Sequence, residues 1–305
     1  MGRFIAGRLL GLIPTMFAIV TISFFVIRLA EGSPFQTDKA LPPQVLKDLQ
    51  EKYGFDQPMS KQYLAYMANL CRGDLGLSTK YPQRTVNEII ALGFPVTLTI
   101  AGVGIIWALL IGVTAGIIAA IRQNTAWDYG AMTAAMLGIS IPTFVLGPLL
   151  VLLFALSFYV LPPGGWGSWR HVVLPGLTLG TIRAAYIARL TRAGMLEVVS
   201  SDFVRTAKAK GLKERLIVWR HMLRGGLLPV VTYLGPAVAF MMVGSVVVEK
   251  IFSTPGIGPY LVDATLNRDY FLVMGIVVLE SAFLLAMNLI VDVAYAMLDP
   301  RIRYD

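Results

Sequence analysis

Two ionisable side chains lie inside long apolar stretches of this sequence, and their position makes them candidates for contact with a charged solute. Arg183 falls near the middle of the stretch 172–191, and Glu280 falls within the stretch 271–298. A charge at the centre of a bilayer costs at least about 2.5–3.5 kcal/mol, so such a side chain normally faces a partner or a wet cavity. Two interpretations stay open. The two residues either form a structural ion pair or lie on a path across the membrane.

A basic segment between two apolar stretches is the second candidate. Residues 192–224 carry eight Lys or Arg against three acidic residues, a net charge of +5. Lys and Arg near the ends of membrane spans resist translocation, so the loop 192–226 is predicted to lie in the cytoplasm. Ser200 or Ser201 is placed to cap a helix there, and Gly211 is placed to stop it.

This short helix is expected to have one apolar face. Phe203, Val204 and Ala207 recur at helical spacing. A second helical stretch is predicted over 214–223. The residues alone leave two interpretations open, since the segment is either a solvated positive loop that only determines topology or a folded element that binds a partner.

The elements that must position these residues are membrane spans. The chain is 56% hydrophobic and only 14% charged, with a mean hydropathy of +0.68, whereas a soluble domain carries about 25% charged residues. Crossing a bilayer takes about 20 apolar residues in a helix. Six stretches reach that length: 9–29, 96–121, 129–160, 172–191, 227–248 and 271–298. The sequence therefore predicts an all-α polytopic membrane protein with six transmembrane helices.

Prolines and glycines refine the prediction for two of these spans. Pro142 and Pro148 are expected to kink or break the third span, because proline removes a helical hydrogen bond. Gly112 and Gly116 form a GxxxG pair in the second span, which indicates close packing of helices rather than chemistry.

An even number of spans places both termini on the same side of the membrane. Arg3 and Arg8 at one end, and Arg301 and Arg303 at the other, predict that this side is the cytoplasm. The polar segment 30–95 is then an insertion on the outer side of the membrane after the first span, within a single transmembrane domain that covers 1–305.

Two amphipathic stretches in this insertion predict short helices that lie against the membrane part. Gly54 is expected to end the first helix. The predicted apolar faces are Val45, Leu46, Leu49 and Tyr53 in the first stretch, and Tyr63, Leu64, Met67 and Leu70 in the second.

Several function classes find no support in the sequence. The net charge of +8 gathers at span ends rather than on one surface, so nucleic acid is not expected as a partner. There is no GxxxxGK[ST] phosphate-binding loop. His171 and His221 fall in loops predicted on opposite sides of the membrane, so no metal site is expected, and Cys71 is the only cysteine.

The string DFVRTAKAKGL at 202–212 resembles the cytoplasmic loop of the membrane subunits of binding-protein-dependent ABC importers. That loop carries the motif E-A-A, three residues, then G. Here Arg205, Thr206 and Ala207 occupy the E-A-A positions and Gly211 is the motif glycine. The missing glutamate is typical of the peptide-importer branch. Further strings are similar to that branch: GSPF at 32–35, LPP at 41–43, GDLG at 73–76, TYLGPA at 232–237, PGIG at 255–258, NRDY at 267–270 and DPRIR at 299–303.

The resemblance implies the membrane-spanning permease subunit of a type I ABC importer for oligopeptides, the first of two such subunits, in the bacterial inner membrane. It implies as partners a second permease subunit, two ATPase subunits that hold ATP and Mg, a periplasmic peptide-binding protein, membrane lipid and a peptide substrate. Transport would proceed by alternating access. The coupling helix that contacts the ATPase would use Asp202, Phe203, Arg205, Thr206, Ala207, Lys210 and Gly211.

Other solutes and one other class of protein stay open. A related importer for dipeptides, nickel or a disaccharide-like ligand shares the expected fold. An intramembrane enzyme would need a nucleophile and a base, or metal ligands, within the spans, and the sequence offers no such constellation.

Overall fold

The structure is a computed structural model that describes residues 2–29, 32–35 and 42–298. Leu41 of the LPP string, the DPRIR string and the arginines at 301 and 303 lie outside the described residues, as does the side chain of Arg3. Within the described ranges the chain forms these helices: α1 Gly2–Leu29, α2 Pro43–Tyr53, α3 Met59–Cys71, α4 Val86–Ile121, α5 Ala126–Ser140, α6 Thr143–Leu150, α7 Arg170–Val199, α8 Asp202–Ala209, α9 Glu214–Ile217, α10 Leu223–Gly226, α11 Leu228–Ile251, α12 Ile257–Leu266 and α13 Tyr270–Leu298.

Four of the described helical segments are long and apolar enough to cross a membrane, namely Gly7–Leu29, Val86–Ile121, Leu223–Ile251 and Tyr270–Ala294. These correspond to the first, second, fifth and sixth predicted spans. The fourth predicted span lies in α7, which has 30 residues but carries Arg183, Arg189 and Arg192 and is not among the four. The all-α membrane architecture is confirmed, while the count of six spans stays a prediction.

The third predicted span is broken into two helical pieces. Ala126–Ser140 and Thr143–Ser157 together are apolar enough to cross a membrane, but they bend by 105° at the break. Pro142 lies at that break, as predicted. Pro148 does not break the chain, because it lies inside α6, which continues as a π-helical stretch over Val151–Ser157.

The chain divides into two compact units. The first unit contains Leu98–Thr254 with the described parts of 1–8 and 284–305. The second contains Leu9–Thr97 and Pro255–Phe283. Both α4 and α13 contribute one end to each unit.

Glycines allow α4 and α7 to pack closely in the first unit. A Cβ on Gly112 would lie 2.5 Å from the carbonyl oxygen of Ala184, and one on Gly116 would lie 2.5 Å from Cβ of Thr191. Such distances are too short for any side chain, so the backbones approach only because these residues lack one. The predicted role of the GxxxG pair in helix packing is confirmed.

In the second unit, α3 packs against α1 and the start of α13. Tyr66 is buried in a cluster with Val20, Phe24, Met274 and Val278. Tyr63, Met67 and Leu70 pack against this cluster as predicted, but Leu64 is exposed and Tyr66 takes its place. The apolar pattern of α3 alone does not determine which of its side chains face α1 and α13.

The prediction for α2 is only partly correct. Gly54 ends this helix in the left-handed conformation, with φ of 71°, as expected. However, α2 has no buried residue, and Val45 of its predicted apolar face is exposed. Tyr53 at its end is half-buried and packs beside Phe35, Phe55 and Phe271.

Asp269 joins a loop of the polar insertion to the start of α13. Its buried carboxylate accepts hydrogen bonds from Ser78 Oγ at 2.5 Å, from the Lys80 backbone N–H at 3.1 Å and from the Leu272 backbone N–H at 3.1 Å. The last bond satisfies one of the free N–H groups in the first turn of α13. Asp269 thereby has a structural role within the second unit.

Candidate functional site

The candidate coupling helix begins directly after α7. Ser201 has the extended backbone conformation of a capping residue before α8. Its side chain does not cap, because Ser201 Oγ donates a hydrogen bond to the carbonyl oxygen of Val198 at 2.5 Å, and Ser200 Oγ donates to Glu197 in the same way. The predicted serine cap is wrong, since both hydroxyls donate to carbonyl oxygens in the last turn of α7 instead.

The stop at Gly211 is confirmed in detail. Gly211 has φ of 73°, and its N–H donates to the carbonyl oxygen of Lys208 at 3.0 Å. The N–H of Leu212 donates to the carbonyl oxygen of Ala207 at 3.3 Å. This pair of bonds is the Schellman arrangement, which requires a left-handed residue at the glycine position. A Cβ on Gly211 would meet no atom within 4 Å, so only the backbone conformation demands glycine.

The two faces of α8 differ from the predicted pattern. Val204 and Ala207 are buried, the latter only 6% exposed, in a cluster with Met195, Ile217 and other apolar residues of this same chain. Phe203 is not part of that face, because it is 50% exposed. Ala207 is therefore small because of packing within the chain, and Phe203 is the apolar side chain available to a partner.

The remaining predicted coupling residues lie on the open side of the helix. Asp202, Arg205, Thr206 and Lys210 are all exposed. Arg205 Nη1 lies 3.9 Å from Asp202 Oδ1, a solvent-exposed pair that adds little to stability. These side chains are consequently free to form new contacts with a partner surface.

An apolar patch beyond Gly211 was not predicted. Leu212 and Leu216 are exposed large apolar residues, and Trp219 is 71% exposed. They line a shallow groove together with Lys213 and Arg215. Exposed apolar patches of this kind with polar rims mark interaction surfaces. The sequence does contain a signal for this patch, because its large apolar residues lie within the most basic part of the chain.

The stretch that follows α8 is helical, as predicted, but not regular. α9 passes into a π-helical turn at Val218–Met222 and then into α10, which ends at Gly226. Single π-helical turns are frequent at functional sites.

An ion pair at the start of the basic segment was also not predicted from the sequence. Arg192 donates from Nε to Asp128 Oδ1 at 2.7 Å and from Nη2 to Asp128 Oδ2 at 2.8 Å. The Asp128 side chain is only 2% exposed and that of Arg192 is 28% exposed. Arg192 is one of the eight Lys and Arg residues of the segment 192–224, but its charge is paired with a buried carboxylate. The contact instead ties the first turn of α5 to α7.

Arg183 has two aromatic neighbours from α11, one of which also contacts an aromatic ring of α7. Its Nη1 donates to the hydroxyl of Tyr233 at 3.3 Å, and its guanidinium carbon lies 5.9 Å from the ring centroid of Phe240. Tyr186, one turn further along α7, lies 6.1 Å from Tyr233 between ring centroids. Phe240 and Tyr186 are exposed, so the group opens to the surface of the first unit. Tyr233 belongs to the TYLGPA string, where its role was not foreseen.

The other candidate charges have different settings. Glu280 is half-buried in the part of α13 that belongs to the second unit. Its pairing with Arg183 stays a prediction. Asp292 forms an ion pair with Arg8, with 3.2 Å between Asp292 Oδ2 and Arg8 Nε.

These residues can bind a partner protein or a solute. Among the residues that the structure describes, no group of three or more His, Cys, Asp or Glu could hold a metal ion. The described site consists of an exposed helix with a glycine stop, a basic apolar patch and an arginine among aromatic rings. The chain is an α-helical membrane protein whose described site offers surfaces for binding.

Comparison with known families makes the assignment specific. The chain belongs to the family described as binding-protein-dependent transport system inner membrane component, whose sequence profile matches residues 112–304. The profile of the N-terminal part of such membrane components matches residues 1–101.

Similar proteins are known along the full length. The chain is 48% identical over 304 residues to the oligopeptide transport system permease protein OppB of Salmonella typhimurium, covering 99% of each chain. It is 42% identical to the dipeptide transport system permease protein DppB of Bacillus subtilis, covering 99% of this chain and 98% of that protein. It is also 42% identical to the glutathione transport system permease protein GsiC of Escherichia coli, covering 99% of each.

The fold has a counterpart among solved structures. A structure of the MetNI methionine ABC transporter in an inward facing conformation matches with a TM-score of 0.57 over 69% of this chain and 96% of that chain. The sequence identity is 16%, so this likeness concerns the fold.

Proposed function

We propose that this chain is one transmembrane permease subunit of an ATP-driven importer of oligopeptides. The observation that carries the proposal is the similarity to oligopeptide permeases from end to end, at 48% identity. The chain supplies a path with two states, open alternately to each side of the membrane. A substrate or partner shifts such a pair of states only through different affinity for the two.

The energy comes from partner subunits. Two ATPase subunits bind ATP and Mg and hydrolyse the nucleotide, and a second permease subunit completes the path. The ATPase contact uses the open side of α8, with Phe203, Arg205, Thr206 and Lys210 exposed there. The basic rim around Leu216 and Trp219 favours an acidic partner surface.

The solute path uses Arg183. Its guanidinium lies beside Tyr233 and Phe240 on a surface that includes the exposed ring of Tyr186. A planar guanidinium flanked by aromatic rings suits a carboxylate and apolar side chains, which peptides provide. Glu280 is proposed as a second path residue, with a structural pair as the alternative.

Orientation follows from the distribution of positive charge. The basic loop 192–226 and both termini lie in the cytoplasm of a bacterium, and residues 30–95 lie on the periplasmic side. There the insertion is available to a peptide-binding protein, through exposed side chains such as Lys47 and Lys61.

A second candidate function is import of dipeptides or a similarly small peptide. Its support is the 42% identity to the dipeptide and glutathione permeases. The oligopeptide assignment takes precedence because the identity to oligopeptide permeases is higher.

The test is reconstitution of the complete complex in proteoliposomes with its binding protein. Uptake of a labelled pentapeptide is expected to require external binding protein and ATP at the ATPase subunits, and to be competed by unlabelled oligopeptides. Competition by dipeptides or Ni²⁺ alone would favour the alternative solutes. Absence of any ATP-driven peptide uptake by a fully assembled complex would contradict the proposal.

A further inference from the structure

A pocket of about 250 Å³ lies within the second unit, apart from every residue discussed as coupling or path residue. It is formed by the end of α1, the α2–α3 hairpin and the start of α13. The lining residues that matter here are Arg28, Tyr53, Lys61, Gln62, Tyr66 and Asn69. We call this the α1–α3 pocket.

Arg28 brings an incompletely bonded guanidinium to the pocket. Its Nε donates to Gln62 Oε1 at 3.3 Å, and its guanidinium carbon lies 3.6 Å from the ring centroid of Phe24. Its Nη1 is buried and has no hydrogen-bond partner among the described residues. Buried donors nearly always have a partner, so this atom lacks an acceptor.

Tyr66 brings a second buried donor. The residue is 4% exposed, and its Oη has no hydrogen-bond partner in the described part of the chain. Burial raises the pKa of the Tyr66 phenol to about 12, although the positive charge of Arg28 opposes this. The hydroxyl is therefore protonated at neutral pH and can donate a hydrogen bond.

The other lining residues define what kind of group fits. Lys61 adds a second positive charge at the exposed rim. Tyr53 and Phe271 add aromatic walls, and no acidic side chain is among the described lining residues. The volume corresponds to roughly eight water molecules at about 30 Å³ each, which matches one amino-acid-sized group rather than a folded segment.

We propose that the α1–α3 pocket binds a carboxylate group, with Arg28 and Tyr66 as its hydrogen-bond donors and Lys61 as the second positive charge. A guanidinium offers paired, parallel N–H donors that match the two oxygens of a carboxylate. The carboxylate is either the C-terminus of a peptide, a source that rests on the proposed function, or an acidic side chain of a docked protein.

The primary test titrates the assembled transporter complex in lipid nanodiscs by calorimetry. The probes are the tripeptide Ala-Ala-Phe with a free C-terminus and the same tripeptide with a C-terminal amide. The free acid is expected to bind at least tenfold more tightly than the amide. Tyr66→Phe and Lys61→Gln are each expected to remove most of that difference. Lys80→Gln is the matched control, because Lys80 is an exposed lysine of the same unit whose Nζ donates to Asn267 Oδ1 outside the pocket.

Tyr66→Phe separates binding from folding. The substitution removes only a hydroxyl that has no partner in the described chain, so the melting temperature of the complex is expected to stay unchanged or rise. Arg28→Lys keeps the charge but loses the paired donors, and it is expected to weaken binding of the free acid. A fall in affinity together with a fall in melting temperature for Tyr66→Phe would count against direct binding.

The second source is tested by measuring how tightly the peptide-free binding protein docks on the same nanodiscs. If Tyr66→Phe and Lys61→Gln weaken docking but not tripeptide binding, the carboxylate belongs to the docked protein. The proposal is overturned if docking is unaffected by both substitutions and, in addition, either acid and amide bind alike or the preference for the acid survives both substitutions. Failure of the proposed function gives a different result from failure of the pocket proposal. ATP-driven uptake would then be absent in the wild-type complex, while the titrations would still depend on Tyr66.

Discussion

At the scale of single residues, the ion pair between Asp128 and Arg192 is the clearest case in which the stability of a buried charge depends on one other side chain. Arg192→Gln leaves the buried carboxylate of Asp128 without its partner. Breaking a fully buried pair costs about 3–5 kcal/mol, and the expected loss is smaller here because the Arg192 side chain is 28% exposed. Thermal unfolding of the purified chain in detergent measures it.

The control for this prediction is Arg205→Gln, which breaks a solvent-exposed pair with Asp202. That variant is expected to unfold at the wild-type temperature. The double variant Asp128→Asn with Arg192→Gln should recover much of the loss, because no uncompensated charge remains. Equal melting temperatures for Arg192→Gln and Arg205→Gln would show that the buried pair contributes nothing.

Substitution of Arg183 tests whether this residue lies on the proposed solute path. Arg183→Ala is expected to reduce peptide uptake at least several-fold with normal assembly. If Arg183 serves the substrate, Glu280→Ala will not rescue it. If the two residues only pair, the double variant will recover much of the loss, since neither charge is then left alone. Uptake at the wild-type rate by Arg183→Ala would remove this residue from the path. Tyr233→Phe, which deletes the hydroxyl near Arg183 Nη1, is the milder companion variant.

A candidate residue could be identified from the sequence where its residue type alone is unusual at that position. Residues whose role depends on a neighbour that is distant in the sequence could not be identified in this way. Arg183 stood out because a charge inside an apolar stretch is rare. Asp128, Tyr233 and Tyr66 did not stand out, because an acidic residue near a helix start and aromatic residues in membrane helices are ordinary. Their significance comes from the residues that the fold brings beside them.

At the scale of elements, the turn after α8 is the feature that sequence predicted best. Gly211→Val is expected to reduce both uptake and substrate-stimulated ATP hydrolysis, because a β-branched residue is strained at φ of 73°. Gly211→Asn should retain much more activity, since asparagine tolerates the left-handed conformation. Both rates are measured in proteoliposomes with all subunits present.

Gly73→Val provides the matched control. Gly73 has φ of 78°, and a Cβ there would also meet no atom within 4 Å, but it lies in the segment 30–95. This variant is expected to carry similar backbone strain and to leave stimulated ATP hydrolysis largely intact. The interpretation of α8 fails if Gly73→Val uncouples the transporter as strongly as Gly211→Val.

The local sequence pattern predicted α8 and the glycine that ends it, but it did not predict which side of the helix is buried. The apolar spacing of Phe203, Val204 and Ala207 is compatible with a face that includes or excludes Phe203. The choice is made by Met195 and Ile217, which pack on Val204 and Ala207 from other helices. The break at Pro142 could be predicted from the sequence, whereas the size of the bend, 105°, could not.

At the scale of the whole molecule, the open question with the clearest test is which helices cross the membrane. In a background with Cys71→Ser, cysteines at Gly165 and Lys208 are expected to label from opposite sides, which requires α7 to cross despite its arginines. Cysteines at Gln123 and Gly165 are expected to label from opposite sides if the bent α5–α6 pair crosses. Labelling of either pair from one side would contradict the predicted six spans.

The strings that carried the resemblance contribute to structure along the chain. Tyr270 of NRDY donates from its hydroxyl to the carbonyl oxygen of Gly32 in GSPF at 3.0 Å. The backbone N–H of Ile257 in PGIG donates to Thr97 Oγ1 at 3.0 Å. The similarity covers the residues of these contacts in the second unit and α8 in the first unit. Family membership could therefore be predicted from the sequence, whereas the individual contacts could not.

The exposed side of α8 is proposed to couple ATP hydrolysis in partner subunits to peptide movement through this chain. The most direct measurement compares wild type with Phe203→Ala for peptide uptake and ATP hydrolysis in the same proteoliposomes. Phe203 is half-exposed, so its removal should leave thermal stability within about 0.5 kcal/mol. Uptake and stimulated hydrolysis are predicted to fall together at least several-fold. Unchanged rates for Phe203→Ala, with normal assembly of the complex, would contradict the claim.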